Sequence, residues 1–128
     1  MRDAGGAGAG IKYVSENQIV PSPRMFISGR ALSQTGGHGD FRHTSTPIEP
    51  CACSIDTSSS ISIICDGTSA VRKAAREQLR KGASQIKIMA GGGIASPTDK
   101  IDNLQLTASI SGRRSSCIKI YRINLILD

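Results

Sequence analysis

Lys87 stands in the run Gln85-Ile86-Lys87-Ile88-Met89-Ala90, which alternates as a strand does and ends in Gly91-Gly92-Gly93. In a parallel strand covered on one side by helices, Ile86 and Ile88 face the helices, and Lys87 and Met89 point the other way. A lysine buried on that side is costly as a free cation, so it must pair, give up its proton or be chemically altered. A neutral amine adds carbon dioxide to form a carbamate, an anionic ligand able to bridge two metal ions. The alternative is a solvated lysine on a half-exposed strand. The four cysteines, Cys51, Cys53, Cys65 and Cys117, offer less. None forms the C-x₂-C pairs of a zinc ribbon, and Cys51 and Cys53 are too close for an easy mutual disulfide, so a reduced, structural role is expected.

The elements that must position Lys87 are legible on both sides of it. A helix is expected over residues 69–81, with Asp66-Gly67-Thr68 as capping material and Gly82 closing it. Val71, Ala74, Ala75 and Leu79 recur at helical spacing and make a narrow apolar stripe. Helix, short link and strand in that order form an αβ half-unit of a parallel sheet, whose active edge lies beyond the carboxyl ends of its strands. Here that edge is residues 90–102. Further upstream, Met25-Phe26-Ile27-Ser28 reads as a short buried strand stopping at Gly29-Arg30. A short helix is expected over 11–17, and residues 61–64 read as a weak strand or the edge of the next helix. Gly5-Gly6-Ala7-Gly8-Ala9-Gly10 does not space its glycines as G-x-G-x-x-G, so a flexible turn is expected there. Residues 33–60 are loop by composition.

Composition bounds the classes. The chain has 128 residues, about one ordinary domain and far short of the roughly 250 that a complete (β/α)₈ barrel needs. Aromatic residues make up 3% with no Trp, which leaves little from which to build stacking platforms for single-stranded nucleic acid or sugars. The net charge of +6 would suit a polyanion partner, but half of the surplus lies from Thr107 onward, where Arg113, Arg114, Lys119 and Arg122 stand against Asp128 alone. No stretch approaches 18 apolar residues and no apolar signal core follows Met1, so a cytoplasmic protein with no membrane partner is expected.

Three ordered motifs carry a resemblance. They are Arg2-Asp3-Ala4-Gly5-Gly6; Ser28-Gly29-Arg30-Ala31-Leu32-Ser33-Gln34-Thr35-Gly36-Gly37-His38-Gly39-Asp40; and the Lys87 run continued through Ile94-Ala95-Ser96-Pro97-Thr98-Asp99. Together they closely resemble the metal-dependent amidohydrolase superfamily, in its imidazolonepropionase-related and Xaa-Pro dipeptidase-like branch. The resemblance covers about residues 1–106, omitting a divergent stretch at 43–64. It implies an α/β fold, a (β/α)₈ TIM-type barrel present in part, about strands 2 to 4 with their helices. It also implies that Lys87 is the carboxylated lysine bridging two divalent metal ions, zinc by expectation, at the end of the fourth strand. A metal-activated hydroxide would then attack the carbon–nitrogen bond of a small amide, cyclic amide or dipeptide-like substrate. His38 would lie in a loop over the site, contacting substrate or fixing the loop through hydrogen bonds.

The chain also departs from that pattern. Family members place a His-x-His pair on the first strand, single histidines after the fifth and sixth, and an aspartate after the eighth. This chain has two histidines, His38 and His43. Of the ligand set, Lys87 alone is matched. The expectation is therefore an internal piece of an amidohydrolase, by truncation or an erroneous gene model, inactive and metal-free as written. An unrelated tail would follow at 107–128, apolar and β-prone over 118–127. Two other readings remain open: a hydrolase assembling its site between chains, and a small basic protein that binds an anionic partner through Arg72, Lys73, Arg76, Arg80, Arg113 and Arg114. The basic face of the helix reads first as solvated surface, and nucleic acid is not the expected partner.

Overall fold

The computed structural model describes residues 1–43, 45, 61–93, 99, 102 and 124–127, the last four by their backbone. Its elements are α1 (Ala9–Glu16), β1 (Ala31–Ser33), β2 (Ser62–Ile64), α2 (Gly67–Arg80), β3 (Gln85–Ile88) and β4 (Asn124–Leu127). The four strands form one sheet in the order β2-β1-β3-β4, and every pairing is parallel. Leu32 is the Cα partner of Ile88, and Gln85 through Ile88 pair in step with Asn124 through Leu127.

One apolar layer holds this sheet to α2. Val71, Ala74 and Ala75 turn from the helix onto Leu32, Ile86 and Ile88, with Leu79 partly buried at the margin. The stripe expected from spacing is thus the packed face, and complete burial of Ile86 and Ile88 contributes about 2 to 3 kcal/mol each. Gly82, at φ +91, closes the helix in the left-handed conformation that glycine adopts without strain, its N–H bonding Leu79 O at 2.9 Å. Lys12 of α1 donates to the Gly82 carbonyl at 2.9 Å, setting a cation against the negative end of α2.

The first strand lies elsewhere than expected. Residues 25–28 form no ladder; Phe26 makes an isolated parallel bridge with Arg2, and the strand begins beyond Gly29. The cause is a long-range contact. Gly29 turns left-handed at φ +67, a Cβ there would overlap Gln78 Oε1, and that same oxygen accepts the Arg30 N–H at 3.0 Å. Ile27 and Ser28 are nevertheless buried, as a strand would have left them. Residues 61–64 resolve to a strand, β2, and the first helix lies two residues earlier than the expected start.

Phe26 O accepts from Asp3 N, whereas Ile27 O accepts from Ser84 N, so residues 2–6 flank this run on the side away from β3. Further along the same side, β2 takes over beside β1. With β2 set apart, the parallel segments stand in chain order: residues 2–6, the run ending in β1, β3, then β4. No helix among the described residues is long and apolar enough to cross a membrane.

Gly29→Ala is expected to lower stability by about 2 kcal/mol, combining a strained left-handed alanine with displacement of Gln78. Gly91→Ala, with nothing within 4 Å of the added carbon, is expected to leave the urea unfolding midpoint in place. Equal midpoints for the two variants would contradict this account.

Candidate functional site

Lys87 is 2% exposed, which removes the solvated alternative. Its neighbours in sequence, Ile86 and Ile88, lie in the helix-facing core, so its side chain leaves the sheet on the opposite face. Gly5 covers it there: a Cβ on Gly5 would stand 3.9 Å from Lys87 Cγ and from Ala31 Cβ. Gln85 shares this face, and its Nε2 donates to the Asp3 carbonyl at 2.6 Å and to Phe26 O at 3.4 Å. That amide holds the first residues of the chain down where the ladder is reduced to a single bridge.

Asp3 is committed elsewhere. Its carboxylate accepts from the N–H groups of Gly5, Ala7 and Ser28 and from Ser28 Oγ, at 3.0 to 3.3 Å. These bonds shape the glycine-rich turn, so Asp3 is spent on structure. Among the described residues no group of three or more His, Cys, Asp or Glu side chains could hold a metal ion. The described residues therefore hold no such ligand group beside Lys87.

The loop after β1 is fastened at three points. Thr35 donates from its N–H and its hydroxyl to the two carboxylate oxygens of Asp66, at 3.0 and 2.6 Å. Asp66, expected as capping material for α2, makes no side-chain cap bond and serves the loop instead. Asp40 accepts from Gly36 N–H at 2.9 Å and from the Arg42 Nε and terminal amine at 2.7 and 2.6 Å. Gly39 is the third point: its N–H donates to Ser33 Oγ at 3.0 Å, and its carbonyl accepts from Ser62 Oγ.

These fastenings carry His38 to the carboxyl end of β3. The ring is half-buried, with its nitrogen-bearing edge against the backbone of Gly93, and any Cβ at position 93 would overlap it. Its Nδ1 is buried with no hydrogen-bond partner. His38 and the segment that follows Lys87 thus meet at one end of the parallel sheet. His43 bonds locally to Ser45 Oγ at 2.7 Å and takes no part. Cys65 is a free, buried cysteine whose thiol is pushed up to about 11, by burial first and by the adjacent Asp66 second, consistent with the inert role expected of it. Cys51, Cys53 and Cys117, with Arg113 and Arg114, lie outside the described residues. On the basic helix face Arg80 and Lys81 both contact Glu77, at 2.6 and 3.5 Å, which fits a solvated surface. The sequence reading missed Gln85, Ser33, Gly39, Ser62 and the Thr35 to Asp66 tie. A polar residue two positions before Lys87, on the same side of the alternation, was the signal for Gln85; the rest have no local signature.

Comparison with known proteins bears on this arrangement. No family model matches the chain. A solved amidohydrolase superposes at a TM-score of 0.81 with 41% identity, covering 98% of this chain and 31% of its own. The chain is thus related to the amidohydrolases. More particularly, it is similar to a prolidase solved with N-methylphosphonate-L-proline, at 54% identity and a TM-score of 0.73 over 83% of this chain and 26% of that one. It is also 35% identical over 106 residues to ochratoxinase of Aspergillus niger, covering 77% of this chain and 22% of that protein. The chain spans less than a third of the length of these relatives, which fits an internal piece of such a protein.

Asp40 supplies a pH dependence. The Arg42 guanidinium bonds to its carboxylate and holds it down to about 2 from an ordinary 3.8, against burial, which acts the other way. A depressed folded value adds stability that is fully present above pH 3.8 and is lost as pH falls toward 2. Amide protection of residues 36–42, taken against the intrinsic exchange rate at each pH, is expected to fall across that window, and Asp40→Asn to flatten the change; identical protection profiles would contradict it.

Proposed function

We propose that the chain is part of a metal-dependent hydrolase of carbon–nitrogen bonds, acting on a small amide, cyclic amide or dipeptide-like substrate. The observation that carries this reading is Lys87, buried to 2% exposure on the sheet face opposite α2, just before the loop against which His38 is seated. A lysine in such a place needs a partner or a chemical change, and the motif around it matches the carboxylated lysine of the resembling family. Addition of carbon dioxide to the neutral amine forms an N–C bond and releases the amine proton, leaving an anionic carbamate. Relatives that are named an amidohydrolase, a prolidase and ochratoxinase support the reaction class.

In this reading the sheet is an arc of a (β/α)₈ barrel, about strands 2 to 4. With β2 set apart at the sheet's edge, residues 2–6, β1, β3 and β4 stand parallel in chain order, which supports it, since barrel staves are laid down in that way. Residues 1–106 are the barrel-related part. Residues 107–128, which the three motifs do not reach, carry β4, and β4 extends the same arc. His38 contacts substrate from its loop. Zinc is the metal the resemblance implies, with its remaining ligands drawn from the rest of a longer protein; the portion described here is inactive alone.

The test is a graft. Residues 1–106 replace the corresponding part of the related prolidase, and the chimaera is assayed on Xaa-Pro dipeptides with zinc and bicarbonate. Turnover is expected, with Lys87→Ala lowering kcat/KM by about a hundredfold or more while the fold is kept. A folded, zinc-loaded chimaera without turnover, or one indifferent to Lys87→Ala, removes the proposal.

A further inference from the structure

Ser62 lies near the end of the stretch, residues 43–64, that the three resembling motifs leave out, yet its side chain reaches into one of those motifs. Its hydroxyl, on a fully buried residue, donates to the Gly39 carbonyl, next to His38. On the other side of the same peptide group's residue, Gly39 N–H donates to Ser33 Oγ at 3.0 Å. The seat has no spare room: a Cβ at Gly39 would stand 2.8 Å from Ser33 Cβ and 2.9 Å from Ser62 Cβ. With its amide and carbonyl both engaged and both flanks filled, residue 39 has one position. His38, one bond away, is thereby delivered onto Gly93, where its ring occupies the space a side chain would take.

We infer that Ser62 and Ser33 are positioning residues for His38, so that β2, a strand supplied by the divergent segment, is part of the machinery that aims the histidine. The inference deepens the proposed function by naming what aims His38, and its relevance to substrate rests on that reading. Its geometry is tested separately. A buried hydroxyl removed beneath a buried carbonyl leaves that carbonyl unsatisfied, so the loop gains by lifting into water. His38 then leaves Gly93.

The experiment follows deuterium exchange at the imidazole Cε1–H by mass spectrometry on the full chain, with exposed His43 as internal reference. In the wild type His38, its Cε1 packed on Gly93, is expected to exchange at least threefold more slowly than His43. Ser62→Ala is expected to bring His38 to within twofold of His43 while backbone amides of α2 keep their protection, and Ser62→Thr, which retains the hydroxyl, to restore the slow rate. Ser33→Ala provides a second variant should Ser62→Ala fail to fold, with the same expected acceleration. Unchanged His38 exchange in the folded alanine variants overturns the inference. So does α2 protection falling in step with His38, which marks general destabilisation, or a threonine variant as fast as alanine. Failure of the prolidase graft to turn over would leave these rates untouched, so the two proposals fail separately.

Discussion

Burial on both faces of β3 is the constraint from which the remainder of the molecule follows. Its four residues, Gln85, Ile86, Lys87 and Ile88, are each 2% exposed or less. Two of them are satisfied by an ordinary apolar layer, the stripe of α2. The other two are polar, and a polar group removed from water must find a partner. The opening residues of the chain answer for that face: Gly5 lies over Lys87, and Gln85 clasps the Asp3 and Phe26 carbonyls. Asp3 in turn folds the glycine-rich turn back on itself. One strand therefore dictates a helix on one side and a polar, backbone-rich cover on the other.

The same division of labour separates stability from chemistry. The side with α2 carries the apolar contacts, and Cys65, its one thiol among the described residues, is held in its neutral form by burial. The opposite side holds Lys87, and the loop beyond β1 brings His38 to the neighbouring strand's exit. That loop is tied by charged and polar groups at Asp66, Asp40, Ser33 and Ser62, bonds whose direction fixes position better than apolar packing does.

How much of this the sequence carried depends on how local each cause is. Helix α2 was legible because its stripe and its closing glycine lie within fourteen or so consecutive residues, and β3 because its alternation is short and bounded by turns. The direction of Lys87 followed from that alternation. The Phe26 region was misplaced because the decision rests on Gly29 meeting Gln78, and the Arg30 to Gln78 bond spans 48 positions. Asp66 read as a cap because it precedes a helix; that Thr35, 31 residues earlier, would claim both its oxygens has no local mark. The seating of His38 on Gly93 is likewise a meeting of two loops, visible only once β1 and β3 are adjacent. Motif resemblance reached Lys87 and His38 but passed over Ser62, which lies where the resemblance lapses.

The clasp made by Gln85 has a bearing on how the chain comes to be folded at all. Its partner, the Asp3 carbonyl, is 82 residues away, and the bond from Lys12 to Gly82 spans 70. Closing such separations is entropically expensive and slow relative to forming a local turn. On the ribosome residues 2–6 emerge well before β3 and are thus among the last to find their places, since the strand they cover has not yet been made. Until then the apolar run of β3 and the turn around Gly5 must each remain without the other, and assembly is governed by their late encounter.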